Sequence, residues 1–150
     1  MRIGIVPAFL LCILLTGCES VSGSFSEAVP PQVQLVEGSR EEVYFAAQQA
    51  FKRLDFVLTR SVMGQVEAAS AIHTSEAFGN SRQQIARVVI REAEAGKSEV
   101  QLWVTEETAS QSMGGTRRQP LRENGLFQLY FAMLQQVLHE RSDGGPSGKS

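Results

Sequence analysis

The residues able to do chemistry are few, and their positions narrow what they can do. The chain of 150 residues has two cysteines, Cys12 and Cys18, both within its first 18 positions. A disulfide between them would staple nothing, and no thiolate remains further on for a metal site. The two histidines, His73 and His139, fall on different predicted elements, and neither has a carboxylate pair or a cysteine nearby at metal-ligand spacing. No G-x-S-x-G, Walker loop or G-x-G-x-x-G occurs. Glu92/Glu94 and Glu106/Glu107 stand near predicted strand ends, where carboxylates commonly solvate turns. The expectation is a non-enzyme, with no catalytic residue, no metal and no cofactor. Recognition chemistry remains. Arg117, Arg118 and Arg122 share a polar stretch with Gly114-Gly115 and can hold an anionic group or an acidic partner surface. Arg87, Arg91 and Trp103 can form a mixed aromatic and basic surface of the kind that anchors protein partners. The plainer readings are a mobile basic loop for the first group and ordinary sheet packing for the second.

Composition excludes further classes. Hydrophobic residues at 43% and charged residues at 20% describe an ordinary globular chain, of a length that favours one domain. Formal net charge is −2; without residues 1–17, which hold Arg2 and no acidic residue, 13 basic residues face 16 acidic ones. That balance gives no reason to expect nucleic acid as a partner.

The first 17 residues have the parts of a secretory signal. Arg2 and the amino terminus supply positive charge, and Ile3 to Leu15 is an apolar run too short for a comfortable membrane span. By itself the run also fits an ordinary signal peptide or a single anchor helix. It ends in Leu15-Thr16-Gly17-Cys18, which resembles the lipobox of bacterial lipoproteins. The resemblance implies that the Cys18 thiol receives a diacylglycerol, that cleavage falls before Cys18, and that the freed amino group is acylated too. Several acyl chains anchor firmly, at about 0.8 kcal/mol per buried CH₂. The implied partners are a membrane, through the acyl chains on Cys18, and an envelope protein. Glu19, standing where Asp would favour inner-membrane retention, implies an outer-membrane anchor facing the periplasm.

The elements that position the candidate residues follow. Residues 1–17 are the signal, 18–38 a lipidated tether with the stiffening Pro30-Pro31 pair, 39–141 the folded domain and 142–150 a disordered tail. Val33-Gln34-Leu35 in the tether can add a short edge strand. Ser39 and Glu42 match a capping box, predicting a helix to about Leu54 with Val43, Ala47, Ala50 and Leu54 on its buried face, Ala46 and Phe51 beside them, and Tyr44 turned outward. Four stretches then alternate, at 56–59, 66–73, 86–91 and 99–104, each with its small or apolar members at even numbers. Between the second and third lies "EAFGNSRQ", residues 76–83, a predicted flexible loop in which Phe78 is either core or an exposed anchor. Parity and turn positions place Leu58 opposite Val66, Val88 opposite Leu102, Arg91 opposite Glu99 and Arg87 opposite Trp103. Glu106 to Arg122 reads as a long polar connection, and a second helix runs to about Arg141 with Leu126, Tyr130, Leu134, Val137 and Leu138 on its apolar stripe.

The expected fold is α+β: a two-layer sandwich of a four-stranded antiparallel sheet with two helices on one face, in the order α-β-β-β-β-α. The stretch "SREEVYFAAQQAFKRLDFVLTRSVMGQVEA" resembles the helix-grip domains of bacterial envelope lipoproteins such as the C lipoprotein of the barrel-assembly machinery. Ferredoxin-like order is the competing reading. The functional expectation is a non-catalytic envelope lipoprotein acting as an interaction or accessory module. The alternative is a module that binds a small ligand or lipid in a cavity between the second helix and the sheet.

Overall fold

In the computed structural model, residues 29–75, 79–110 and 114–143 are described. The expected signal, the expected lipobox with Cys18, Phe78 and residues 144–150 of the expected tail lie outside the described residues. The elements are β1 (Gln32–Glu37), α1 (Arg40–Arg53), β2 (Val57–Val62), β3 (Gln65–Ala69), β4 (His73–Ser75), β5 (Asn80–Glu94), β6 (Lys97–Ser110), β7 (Gly115–Leu121) and α2 (Gly125–Asp143).

α1 begins where the capping box requires. The Glu42 amide donates to Ser39 Oγ at 3.3 Å, and the Glu42 carboxylate accepts the Ser39 amide at 2.8 Å. The bond from the Ser39 amide first, and then one that the Ser39 hydroxyl donates to the same carboxylate at 2.8 Å, hold the Glu42 carboxyl below its ordinary pKa. The helix closes through Asp55 at φ 60°, with the Phe56 amide donating to the Phe51 carbonyl at 3.0 Å. This is a Schellman-type end with Asp where Gly is usual. The alanines Ala46, Ala47 and Ala50 are fully buried, which lets the helix lie close to the sheet. Tyr44, expected on the outside, is buried. Its hydroxyl meets Ser61 Oγ at 2.9 Å, so a polar tip on an apolar body reaches across to β2. α2 starts at Asn124, whose Oδ1 accepts the Leu126 amide at 2.8 Å.

The four-stranded sheet is corrected to a seven-stranded antiparallel one, within an α+β architecture. Its main order is β1-β6-β5-β3-β2; β4 pairs with β5 and β7 with β6. Three strands account for the difference. β1 pairs along the edge of β6, with Val33 opposite Gln101 and Leu35 opposite Glu99. β4 arises because the stretch expected as one strand from Val66 to His73 is broken. Ala69 pairs with Ile85 but His73 pairs with Arg82, so one strand has an extra residue and its parity flips. Ser70 fills the break: its amide donates to the Gln84 carbonyl at 2.8 Å, its Oγ accepts the Gln84 amide at 3.0 Å, and its carbonyl accepts Gln83 Nε2 at 2.8 Å. β7 lies in the expected polar connection. β6 runs on to Ser110 and the chain returns along it, pairing Thr108 with Arg117 and Glu107 with Arg118. The expected loop at 76–83 is also shorter, since Asn80 to Gln83 belong to β5.

Where strands bury a face, the parity reading agrees with the observed pairs: Val88 faces Leu102, Arg87 faces Trp103 and Arg91 faces Glu99. Between β2 and β3 the register differs. Leu58 faces Ala68 and Ser61 faces Val66, with a shift between Leu58 and Arg60. The turn is tighter than expected because Gly64, at φ 82°, lets the chain reverse immediately after Met63.

Both helices cover the even-numbered face. Val66, Ala68, Ala86, Val88, Ile90, Val100, Leu102 and Val104 from the sheet meet Val43, Phe51, Leu126, Tyr130, Leu134 and Val137 from the helices. The Phe51 and Tyr130 rings lie 4.5 Å apart between centroids. Arg53 clamps α1 to α2 by two bonds to Glu140, at 3.0 and 2.6 Å. Those bonds, with a third from Gln136, pull the Glu140 pKa down to about 2. The far half of the β5–β6 hairpin, Asn80 to Ile85 with Thr105 to Ser110, adds nothing to this core. It overhangs the helix layer, flanked by β4 and β7.

Candidate functional site

The pairings lay out the sheet face that the helices leave uncovered. One row crosses four strands as Trp103, Arg87, Glu67 and Arg60. Arg87 sits over Trp103, its guanidinium carbon 5.7 Å from the ring centroid, and its Nε lies 3.9 Å from Glu67 Oε1. Gln65 Nε2 donates to the same Glu67 oxygen at 2.9 Å. A second row runs Val33, Gln101, Val89, Gln65 and Val62, and a third runs Leu35, Glu99 and Arg91. In the third row Glu99 accepts Gln101 Nε2 at 2.6 Å. Arg91 is exposed beside it.

Charged and polar side chains thus predominate around Val89 on the inner strands, and large apolar side chains are exposed on the two edge strands. Val33 and Leu35 on β1 are 53% and 57% exposed; Val57 and Val62 on β2 are 69% and 47% exposed. β1 and β2 end the strand order, so the outer edge of each carries backbone donors and acceptors without a strand partner among the described residues. An edge of that kind is available for pairing with another chain.

The structure treats the expected site residues unequally. Arg87 and Trp103 come together as expected, with Arg91 on the same face. The three loop arginines do not form one cluster. Arg117 and Arg118 are successive residues of β7, so they point to opposite faces. Arg118 is held by Glu107 at 2.6 Å, and Arg122 stands exposed beyond the end of the strand. Cys18 lies outside the described residues. Among the described residues no three His, Cys, Asp or Glu side chains gather at metal-binding distance. No described helix is long and apolar enough to cross a membrane.

One feature of the opposite face was not anticipated. The overhang forms a cleft of about 520 Å³ with the end of α1, bordered by Asp55, Phe56, His73, Arg82, Gln84 and Glu106. Its residues are scattered over β4, β5, β6 and the connections after α1 and β3, and no apolar period marks them. The break at Ser70 that brings His73 beside Arg82 has no recognisable signature in the sequence.

No family model matches the chain, and no curated protein matches it. Among solved structures it is similar to the adenylate sensor of AMP-activated protein kinase, crystallised with a ribofuranotide of 5-aminoimidazole-4-carboxamide. Identity is 15%, the match covers 71% of this chain and 94% of that one, and the TM-score is 0.41. It is also similar to a DUF4468 family protein from Bacteroides ovatus, at 10% identity, 79% and 88% coverage and a TM-score of 0.34. At TM-scores below 0.5 these likenesses do not establish a shared fold.

Proposed function

We propose that this chain is a non-catalytic, lipid-anchored envelope protein, held at a membrane by acyl chains on Cys18 and facing the periplasm from the outer membrane. Its outer sheet face is the contact surface for an envelope protein. The observation that carries this reading is the layout of that face. A central row of Trp103, Arg87, Glu67 and Arg60 is bordered by exposed Val33, Leu35, Val57 and Val62. Burying such apolar margins is worth roughly 25 cal/mol per Å², while a polar middle fixes orientation and register. The anchor rests on the lipobox resemblance. Cys18 and the start of β1 at Gln32 are 14 residue steps apart, which is at most about 50 Å at full extension. The anchored domain therefore works close to its membrane.

The reading with a cavity between α2 and the sheet has less support. Tyr130, Leu134 and Val137 are almost wholly buried, and the space left between α2 and the sheet is an open surface groove of about 370 Å³ at the β1 edge, lined by Gln32, Gln34, Phe127 and Phe131. The test of the anchor is the mass of the mature N-terminal peptide from membranes. The reading expects a peptide that starts at Cys18 and carries acyl chains, and a Cys18→Ala chain that no longer sediments with membranes. An unmodified thiol at Cys18 in the membrane-bound protein would contradict it.

A further inference from the structure

The cleft under the overhang carries charges of both signs that do not neutralise one another. Four ionisable side chains border it, Asp55, His73, Arg82 and Glu106. The ion pairs of the described residues are Arg53–Glu140, Arg87–Glu67, Lys97–Glu94, Arg118–Glu107 and His139–Asp143, and none of the four takes part in them. Strand register separates the signs. Glu106 pairs with Gln84, whereas Arg82 pairs with Thr108 on one side and His73 on the other. Glu106 and Arg82 thus share a sheet face two residues apart, about 7 Å along the strand direction. Asp55, just past the last turn of α1, is a second carboxylate on the border of the cleft. One end of the cleft attracts a cation and the other an anion.

Between the two ends, Leu54, Phe56 and Ala71 supply apolar surface, and Ser70 and Gln84 supply hydrogen-bonding groups. The volume of about 520 Å³ lies within the range of small-molecule sites.

We propose that this cleft binds a zwitterionic small molecule of dipeptide size, with its ammonium toward Glu106 and its carboxylate toward Arg82 and His73. An α-amino acid carries its two charges too close together to reach both ends. A dipeptide carries them one peptide unit further apart. The site is on the helix-covered side of the sheet, so it is independent of the outer face and of the anchor.

The test is a titration of the isotope-labelled mature chain with alanyl-alanine, followed by amide chemical shifts. Saturable shifts should be confined to residues 54–56, 70–75, 80–84 and 106. N-acetyl-alanyl-alanine lacks the ammonium and alanyl-alanine amide lacks the carboxylate; each should bind about tenfold more weakly or worse. Arg82→Ala and Glu106→Gln should each cost at least about tenfold as well. Arg82 is exposed and Glu106 half-buried, and an unchanged thermal midpoint separates loss of the site from loss of the fold. No saturable shift at millimolar peptide, or blocked peptides that bind as well as the free one, would overturn the proposal. So would variants with parental affinity. Phosphoethanolamine, tested alongside, should bind more weakly than the dipeptide; tighter binding would replace the peptide with a lipid headgroup and overturn the assignment.

Discussion

Tyr130 to Phe should make this protein more stable. The Tyr130 side chain has no exposed surface, and its hydroxyl has no hydrogen-bond partner among the described residues. Its ring packs against Phe51 at 4.5 Å and Phe131 at 5.8 Å between centroids, so the apolar body is well placed and only the oxygen is not. Burying a hydroxyl without a partner costs roughly 1–3 kcal/mol. Phenylalanine removes that cost and loses only the few dispersion contacts of one atom. The expected net gain is about 1 kcal/mol, or about 4 °C in Tm for a domain of this size. Tyr44 is the control. Its hydroxyl is bonded to Ser61 at 2.9 Å, so Tyr44→Phe should lose about 1 kcal/mol. The same chemical change is thus expected to have opposite signs at two sites. Urea unfolding followed by circular dichroism reads both, with an unchanged m-value as the check on two-state comparison. Alkaline pH adds a second readout. Burial pushes the Tyr130 pKa up, so the phenol is neutral in the fold, and stability is full below the unfolded tyrosine pKa of about 10. It should fall as pH rises above that value, and Tyr130→Phe should not share the fall. A Tyr130→Phe protein that is less stable by 1 kcal/mol or more would refute the reasoning, because the hydroxyl would then be satisfied, for instance by a buried water.

Three further outcomes are expected. Ser39→Ala removes one half of the capping box and should cost about 1 kcal/mol in urea unfolding, with Ser39→Asn or Ser39→Asp largely retaining it. The Glu140 carboxyl, held low by Arg53, contributes stability above the ordinary Glu pKa near 4.5 that is lost as pH falls toward about 2; Arg53→Gln should reduce that acid dependence in a pH-resolved melt, and added salt should weaken the parental effect. Trp103 is the single tryptophan of the chain and lies beneath Arg87. Arg87→Ala should therefore move its emission to longer wavelength and raise its quenching by acrylamide, whereas Arg91→Ala should do neither.

The sequence was most legible where a strand buries one face. Ala86, Val88 and Ile90 against Val100, Leu102 and Val104 alternate strictly, and a shift of one residue would put all six in water. That constraint by itself sets Arg87 opposite Trp103. It weakens wherever burial stops. Thr105 to Ser110 and Thr116 to Gln119 form strands with mostly polar side chains, because the overhang has no helix above it and no apolar pattern is required. What holds them is the backbone ladder, which leaves no periodic trace. β1 was visible only as a short alternation beside a proline pair. The extra residue near Ser70 inverted the faces after Ala69, so His73 moved to the helix side by a bulge that composition does not announce. The same limits apply to the candidate sites. The outer face followed from parity, the scatter of Arg117, Arg118 and Arg122 followed from an unexpected strand, and the charged cleft depended on both the bulge and the overhang.

The central claim is that the outer sheet face meets a partner while the chain is anchored through Cys18. The most direct measurement is site-specific photo-crosslinking in intact cells, with the crosslinker at Val89 in the middle of that face or at Gln49 on the exposed side of α1. The account predicts one discrete adduct from Val89 and none from Gln49. The adduct should be lost in Arg91→Glu and in Cys18→Ala chains that remain folded. A discrete adduct from Gln49 with none from Val89, or a Val89 adduct indifferent to both substitutions, would contradict it.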